Sequence, residues 1–362
     1  MREPNAQTAA PKPDPNVVTA AEEVAAFRDV RPHLVILGAG ASRAAFPEGE
    51  RQGRPLPLMA DFTEIIPVDP ILEKSGIDYK GKNFEEVYSL VSERAELADV
   101  RSQIERVVFG YFAELQLPDA PTLYDKLVLS LRQKDVIATF NWDPFLIQAW
   151  QRSERVTRSL PCLLFLHGNV AHGYCARDMY QGLRGERCAC CGERLQSDKL
   201  LFPVAKKDYS SDPSIRKAWE VVRAALNDAL AITIFGYSAP ASDKDAVSIM
   251  QEAWGGPEKK QFEAFEIIDV KSKEEVRANW AGFVLVDHYR PYKNFYESMT
   301  ARHPRRSGEA FLNQYIHGKF LEGHPIPEAK TLDELHSWFR PLIEVEERAL
   351  ESAGRSQSSQ ND

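Results

Sequence analysis

Short apolar runs recur along the chain, and the spacing between them sets the first expectation. His33-Leu34-Val35-Ile36-Leu37 is nearly all apolar and ends at Gly38, the pattern of a parallel strand buried on both faces. Similar runs follow at 136–139, 162–166, 231–235 and 265–269, with 283–286 as a sixth. Helical periodicity separates several of them, at 143–152, 213–227 and 243–254, as strand, helix, strand crossovers require. The predicted class is α/β, with an open doubly wound parallel sheet. Two stretches interrupt the rhythm: 60–132 reads as three or more amphipathic helices, and 170–202 is irregular and rich in cysteine. Both read as insertions. From residue 291 the pattern is helical without strand signals, a helical C-terminal extension over 291–349. Residues 1–16 and 350–362 lack any period and read as disordered tails. The sheet domain with its two insertions then spans 17–290.

Composition narrows the function classes. The 362 residues are 43% apolar, enough for a packed core. A net charge of -8 argues against a general binder of phosphate backbones, so no direct nucleic-acid binding is expected. No apolar window approaches the length of a membrane span, and the amino end lacks the hydrophobic stretch of a secretory signal, so the expected location is the cytoplasm.

Four of the five cysteines fall between Cys175 and Cys191. His172 and Cys175 form an H-x2-C pair, and Cys188 and Cys191 a C-x2-C pair twelve residues further on. Each x2 turn points two ligands at one ion, so the spacing predicts a structural, tetrahedral Zn2+ held by His172, Cys175, Cys188 and Cys191, with Gly192 allowing the knuckle to curl. Cys190 is a possible substitute for a neighbour, and Cys162, inside an apolar run, reads as a buried and inert thiol.

In an open parallel sheet, ligands bind beyond the carboxyl ends of the strands. Four ends stand out. Gly38-Ala39-Gly40-Ala41-Ser42 is a glycine turn into a helix, suited to a phosphate but equally to a tight turn with no ligand. Asn141 and Asp143 lie two residues apart where a strand gives way to a helix, a place where such side chains commonly cap. His167 follows an apolar run and precedes Gly168; its ordinary pKa suits proton transfer near neutrality. Gly236-Tyr237-Ser238 precedes Pro240 and Asp243. His303-Pro304-Arg305-Arg306 reads as a solvated loop. Tyr289, Tyr292, Phe295 and Tyr296 read as helix packing against the sheet, and Phe311, Leu335 and Phe339 as core or an apolar stripe for a partner.

Taken in order, the motifs at these strand ends, the cysteine knuckle between them and the late Ile267-Ile268-Asp269 run resemble the sirtuin superfamily, over roughly residues 33–270. The resemblance implies a Rossmann-like sheet with a zinc ribbon. Carried over by residue, it implies that Gly38, Ala39, Gly40 and Ser42 line the phosphates of NAD+, and that Gly236, Ser238 and Asp269 hold its adenosine side. Asn141 and Asp143 would face the nicotinamide and its ribose, with His167 as the base. The segment after Ser42 and the Phe140-Asn141-Trp142-Asp143 sequence depart from the deacylating members, Asp269 stands where they carry asparagine, and no segment matches their peptide-pairing strand. These departures look more like the divergent sirtuin-like NAD+ hydrolases of bacterial antiphage defence. The expected activity is NAD+ glycohydrolysis; an NAD-dependent protein deacylase and a non-catalytic NAD or ADP-ribose sensor are the alternatives. A homo-oligomer and a regulatory partner protein are expected to control it.

Overall fold

The computed structural model describes residues 14–28, 30–204, 207–239, 243–255, 263–280 and 289–358. Nine strands carry the architecture: β1 (His33–Leu37), β2 (Val136–Thr139), β3 (Cys162–Phe165), β4 (His172–Tyr174), β5 (Gln181–Leu183), β6 (Gln196–Ser197), β7 (Ala231–Phe235), β8 (Ala264–Ile268) and β9 (Arg290–Tyr292). Six of them form one parallel sheet in the order β9-β8-β7-β1-β2-β3. The chain starts at a central strand, winds outward through β2 and β3, then returns to β1's other side. That reversal creates a topological switch point between β1 and β7. The fold class read from the sequence therefore holds.

Alternation along each strand builds two cores, because successive side chains point to opposite faces. Val35, Leu37, Ile137, Phe165 and Phe235 face one layer. The helical stretch before β2 covers it with Phe62, Phe84, Val108 and Leu127, and the C-terminal helix adds Leu335 and Phe339. Leu34, Ile36, Ala138, Leu164 and Ile234 face the other layer, under Trp219, Met250 and Trp280 from the helices Pro213–Asp228, Lys244–Trp254 and Lys273–Trp280. Local signals start these helices where expected. Asn83 with Glu86, and Thr122 with Asp125, close reciprocal capping boxes, and Asp212 caps a helix with Pro213 in its first turn.

Several expectations need correction. The run 283–286 lies outside the described residues, and the sixth strand is Arg290–Tyr292, so the region after 291 is not purely helical: Tyr292 is a strand residue, and Phe320–Leu321 pairs in parallel with Val17–Val18. Tyr296 is exposed, whereas Phe295 stacks on Phe235. The C-terminal helix continues from Leu332 to Ser358, beyond the expected tail boundary. The stretch 170–202 holds a three-stranded antiparallel sheet, β5-β4-β6. Cys162 is solvent-exposed rather than buried, because it opens β3 at the sheet's edge.

The largest correction concerns His303, Arg305 and Arg306, which are buried. Arg305 and Arg306 reach Glu346 of the C-terminal helix at 2.6 and 2.5 Å, and Arg305 also donates to the carbonyls of Leu129, Leu131 and Ser159. His303 meets Glu23 at 2.8 Å. Burying a guanidinium is costly unless it is paired; the carboxylate comes from the C-terminal helix, and Arg305 has all its nitrogens bonded whereas Arg306 keeps a buried Nε without a partner.

Candidate functional site at the sheet edge

Strand register brings the predicted loops together. Phe165, Thr139, Leu37, Phe235 and Ile268 are successive partners in a single row across the sheet. His167 and Asn141 each follow that row by two residues, while Gly38, Gly236 and Asp269 follow it by one. All the selected strand ends therefore lie side by side along one edge, around the switch point.

At the switch point itself the glycines are used for contact between loops. Gly38 and Gly40 donate their N–H groups to the carbonyls of Phe235 and Gly236, at 3.0 and 2.9 Å. A Cβ on Gly38 would stand 2.6 Å from the Gly236 oxygen, and Gly236, with φ of 63°, would place one 2.1 Å from the Ala41 nitrogen. Only glycine lets these two turns meet so closely.

Asn141, Asp143 and Ser42 meet in a buried network. Ser42 donates to Asp143 Oδ2 at 2.6 Å, and its oxygen lies 2.8 Å from the Tyr124 hydroxyl. Asn141 Nδ2 donates to the Gly38 carbonyl at 2.9 Å and to Ser42 Oγ at 3.0 Å. Asp143 also accepts from the Phe145 N–H at 3.3 Å, a turn bond across Pro144, which itself holds the N-cap position, so Asp143 is not the helix cap. Burial pushes the Asp143 carboxyl up to about 6, against the pull of the Ser42 and Phe145 hydrogen bonds. Asn169 anchors the next turn by donating to the Asp143 carbonyl at 2.6 Å.

His167 occupies a separate, aromatic corner. Phe140 packs edge-on against its ring, and Tyr209 stacks beside it with its hydroxyl 3.3 Å from Nε2. Asp243 lies 3.8 Å from Nε2 and is itself held by Lys207 at 2.6 Å and by the Tyr237 hydroxyl at 2.9 Å. Burial lowers the His167 pKa to about 4, outweighing the opposing pull of Asp243. The imidazole is therefore neutral at physiological pH and able to accept a proton. A cleft of about 560 Å³ opens beside this corner, lined by Tyr88, Glu105, Phe202, Leu201 and Lys207 among others. Two of these touch the corner directly: Leu201 donates its N–H to the His167 carbonyl at 2.9 Å, and Lys207 holds Asp243.

Ser238 is half-buried two residues past Gly236. Asp269 is also half-buried, and its carboxylate closes its own turn by accepting from the Lys271 N–H. Sequence reading missed Tyr124, Lys207 and Tyr209. Tyr124 sits on the inner face of a helix far upstream, and Lys207 and Tyr209 lie in a segment without periodicity. Asp243 stands just after the Gly236-Tyr237-Ser238 loop in the sequence, and its side chain turns back to Lys207 and Tyr237.

In the cysteine-bearing sheet, Cys175, Cys188 and Cys191 converge as expected, but the fourth side chain is Asp178 rather than His172. The ligand atoms of these four lie within 4.8 Å of one another. His172 is buried elsewhere, with Nδ1 2.8 Å from Asp198. The x2 spacing thus runs forward from Cys175 to Asp178, not backward to His172. Cys175 and Cys191 sulfurs stand 3.6 Å apart, and Asp178 Oδ2 is 3.2 Å from the Cys188 sulfur. Bonds of about 2.3 Å in a tetrahedron put sulfurs about 3.8 Å apart, so the set fits Zn2+. Cys190 is exposed and outside the cluster.

No helix among the described residues is long and apolar enough to cross a membrane. No family model and no curated protein matches the chain. Among solved structures, a Sir2 homologue in complex with NAD is 14% identical over 82% of this chain and 92% of that one, with a TM-score of 0.38. A structure reported for the mechanism and regulation of Sir2 enzymes is 16% identical, covering 81% of this chain and 96% of that one, with a TM-score of 0.36. A Sir2 complex with a p53 peptide and NAD+ is 14% identical over 80% and 94%, with a TM-score of 0.36.

Proposed function

We propose that this chain is a sirtuin-like NAD+ glycohydrolase that releases nicotinamide and ADP-ribose. The observation that carries the reading is the row of strand ends, which puts the buried His167 corner and the Asn141, Asp143 and Ser42 network at the ends of neighbouring strands along one edge of an open parallel sheet. The reaction suits these groups. The glycosidic C–N bond breaks with its electron pair passing to the pyridinium nitrogen, so nicotinamide leaves neutral without a general acid, and the barrier is the developing oxocarbenium ion. Water forms the new C–O bond and gives its proton to His167 and then to solvent. Asp143, ionised above pH about 6, supplies negative charge near the cation, with Ser42 and Asn141 fixing its position. The cleft shared by Leu201 and Lys207 offers the substrate room next to His167. Gly38, Ala39 and Gly40 would lie along the phosphates, and Gly236, Ser238 and Asp269 along the adenosine side.

Zn2+ on Cys175, Asp178, Cys188 and Cys191 would be structural, since four protein ligands leave no open position. An unrestrained hydrolase would drain the NAD+ of its own cell, so we assign control to self-association or to a partner protein, in an antiphage-defence setting. A monodisperse monomer with full, partner-independent turnover would refute that assignment.

The deciding experiment is incubation with NAD+, with and without an acetylated peptide, followed by separation of products. Free ADP-ribose without peptide is expected. Acetyl-ADP-ribose formed only with peptide would make the chain a deacylase, and binding without nicotinamide release would make it a sensor.

A further inference from the structure

A second cleft, of about 450 Å³, lies away from the sheet edge, between the end of helix Phe145–Ser153 and the start of helix Leu332–Ser358. Arg152, Arg155, Arg340, His336 and Ser337 line it, together with a single carboxylate, Asp333. Three guanidiniums thus converge on a protein whose net charge is -8. Asp125 answers Arg152 at 3.5 Å, so Arg155 and Arg340 are the guanidiniums left to repel each other without a counter-charge paired to them among the described residues.

The donors of Arg155, Arg340 and His336 in this cleft are unspent, whereas Arg152 is already committed. Arg155 and Arg340 are exposed and have no hydrogen-bond or ion-pair partner among the described residues. Arg152 is anchored through Nη2 to the Leu117 and Pro118 carbonyls, which leaves Nη1 without a hydrogen bond, 3.5 Å from Asp125. The buried Nε2 of His336 has no partner either. The adjacent helix start is already capped, since Thr331 and Glu334 bond each other's backbone. The recognition must therefore come from side chains, with the helix dipole adding only a favourable field.

We infer that this cleft binds the phosphates of a small nucleotide-class ligand, at a site separate from the sheet edge. Guanidinium forks match phosphate oxygens in pairs, and the volume falls within the range of small-molecule sites. Val156 and Leu332 supply the apolar wall against which the rest of the ligand lies. Neither the reading of His167 as a base nor the NAD+ reading is used here.

The test is calorimetric titration of the full chain with pyrophosphate and with ATP at low salt. Both probes should bind, ATP the more tightly. The double variant Arg155→Glu, Arg340→Glu changes exposed side chains and should weaken both by at least about tenfold, the effect of losing roughly 1.4 kcal/mol. His167→Ala should bind them as the parent does. Should the double variant not fold, Arg155→Gln alone is expected to weaken binding roughly threefold. The inference fails if the parent binds neither probe, if charge reversal leaves binding unchanged, or if a short oligonucleotide binds more tightly than ATP.

Discussion

Ser42 and Asp143 are joined by a 2.6 Å hydrogen bond between residues 101 positions apart, and that bond ties the first glycine turn to the end of the neighbouring strand. Both groups are almost fully buried, so the bond is maintained against the cost of keeping a carboxylate largely away from solvent.

The cost has a sign that can be tested. The Asp143 pKa is raised to about 6 from an ordinary value of 3.8, so the folded state holds the proton more tightly than the unfolded chain. Its contribution is favourable below pH about 4 and is lost as the pH rises through 6. By linkage the loss is on the order of 3 kcal/mol. Asp143→Asn should therefore raise the unfolding free energy at pH 8 and lose that advantage near pH 4, while slowing nicotinamide release. Urea unfolding at the two pH values checks this; equal effects at both would contradict the buried-charge account.

His167 and Asn141 should separate by what they do to the fold. His167→Gln removes the base while largely filling its place against Phe140 and Tyr209, and is expected to slow nicotinamide release by roughly a hundred to ten thousand fold with little change in melting temperature. Asn141→Ala instead deprives Ser42 and the Gly38 carbonyl of a donor and should also cost about 1–3 kcal/mol of stability. Near-normal turnover in His167→Gln would remove it as the base. With Asp143 as the charge and His167 as the base, the rate should fall first as the pH drops through about 6 and again toward about 4, and Asp143→Asn should keep only the lower step.

The metal site turns on one neighbour. Asp178→Ala and Cys191→Ser should each lower zinc content and melting temperature together, because metal binding is coupled to folding of this small sheet. His172→Gln should keep its zinc, with any destabilisation traced to the lost Asp198 contact. Elemental analysis of protein prepared without chelator should give one zinc per chain. Loss of metal in His172→Gln with retention in Asp178→Ala would restore the pairing first read from the spacing.

Periodicity and strand-end chemistry made the sheet and its glycine, Asn141 and His167 ends readable, since each depends on a few consecutive residues. What escaped depends on contacts distant in sequence. Tyr124 and Ser42 meet across 82 positions, and nothing local marks a tyrosine as the partner of a serine. The choice between His172 and Asp178 is likewise invisible to spacing, because both stand three residues from Cys175. Only the direction in which β4 enters its sheet separates them. The pair Arg305-Arg306 looked solvated because charge usually is, and only the carboxylate forty positions away reverses that prior.

That carboxylate supports the last prediction. Glu346 is almost fully buried and is the shared acceptor for Arg305 and Arg306; the remaining donors of Arg305 reach carbonyls of the helix before β2 and of the loop before β3, while Arg306 reaches the carbonyls of Val24 and Leu342. Removing one member of a buried ion cluster leaves the others charged with no partner, which costs more than the pair contributes. Glu346→Gln should therefore destabilise the whole domain by roughly 3–5 kcal/mol, and removal of the C-terminal helix should prevent folding instead of releasing an inhibited enzyme. Thermal unfolding and NAD+ turnover of Glu346→Gln decide between the two roles. A variant that unfolds earlier with turnover per folded molecule unchanged makes the helix part of the core, whereas one with unchanged stability and raised turnover would make it a regulatory strap.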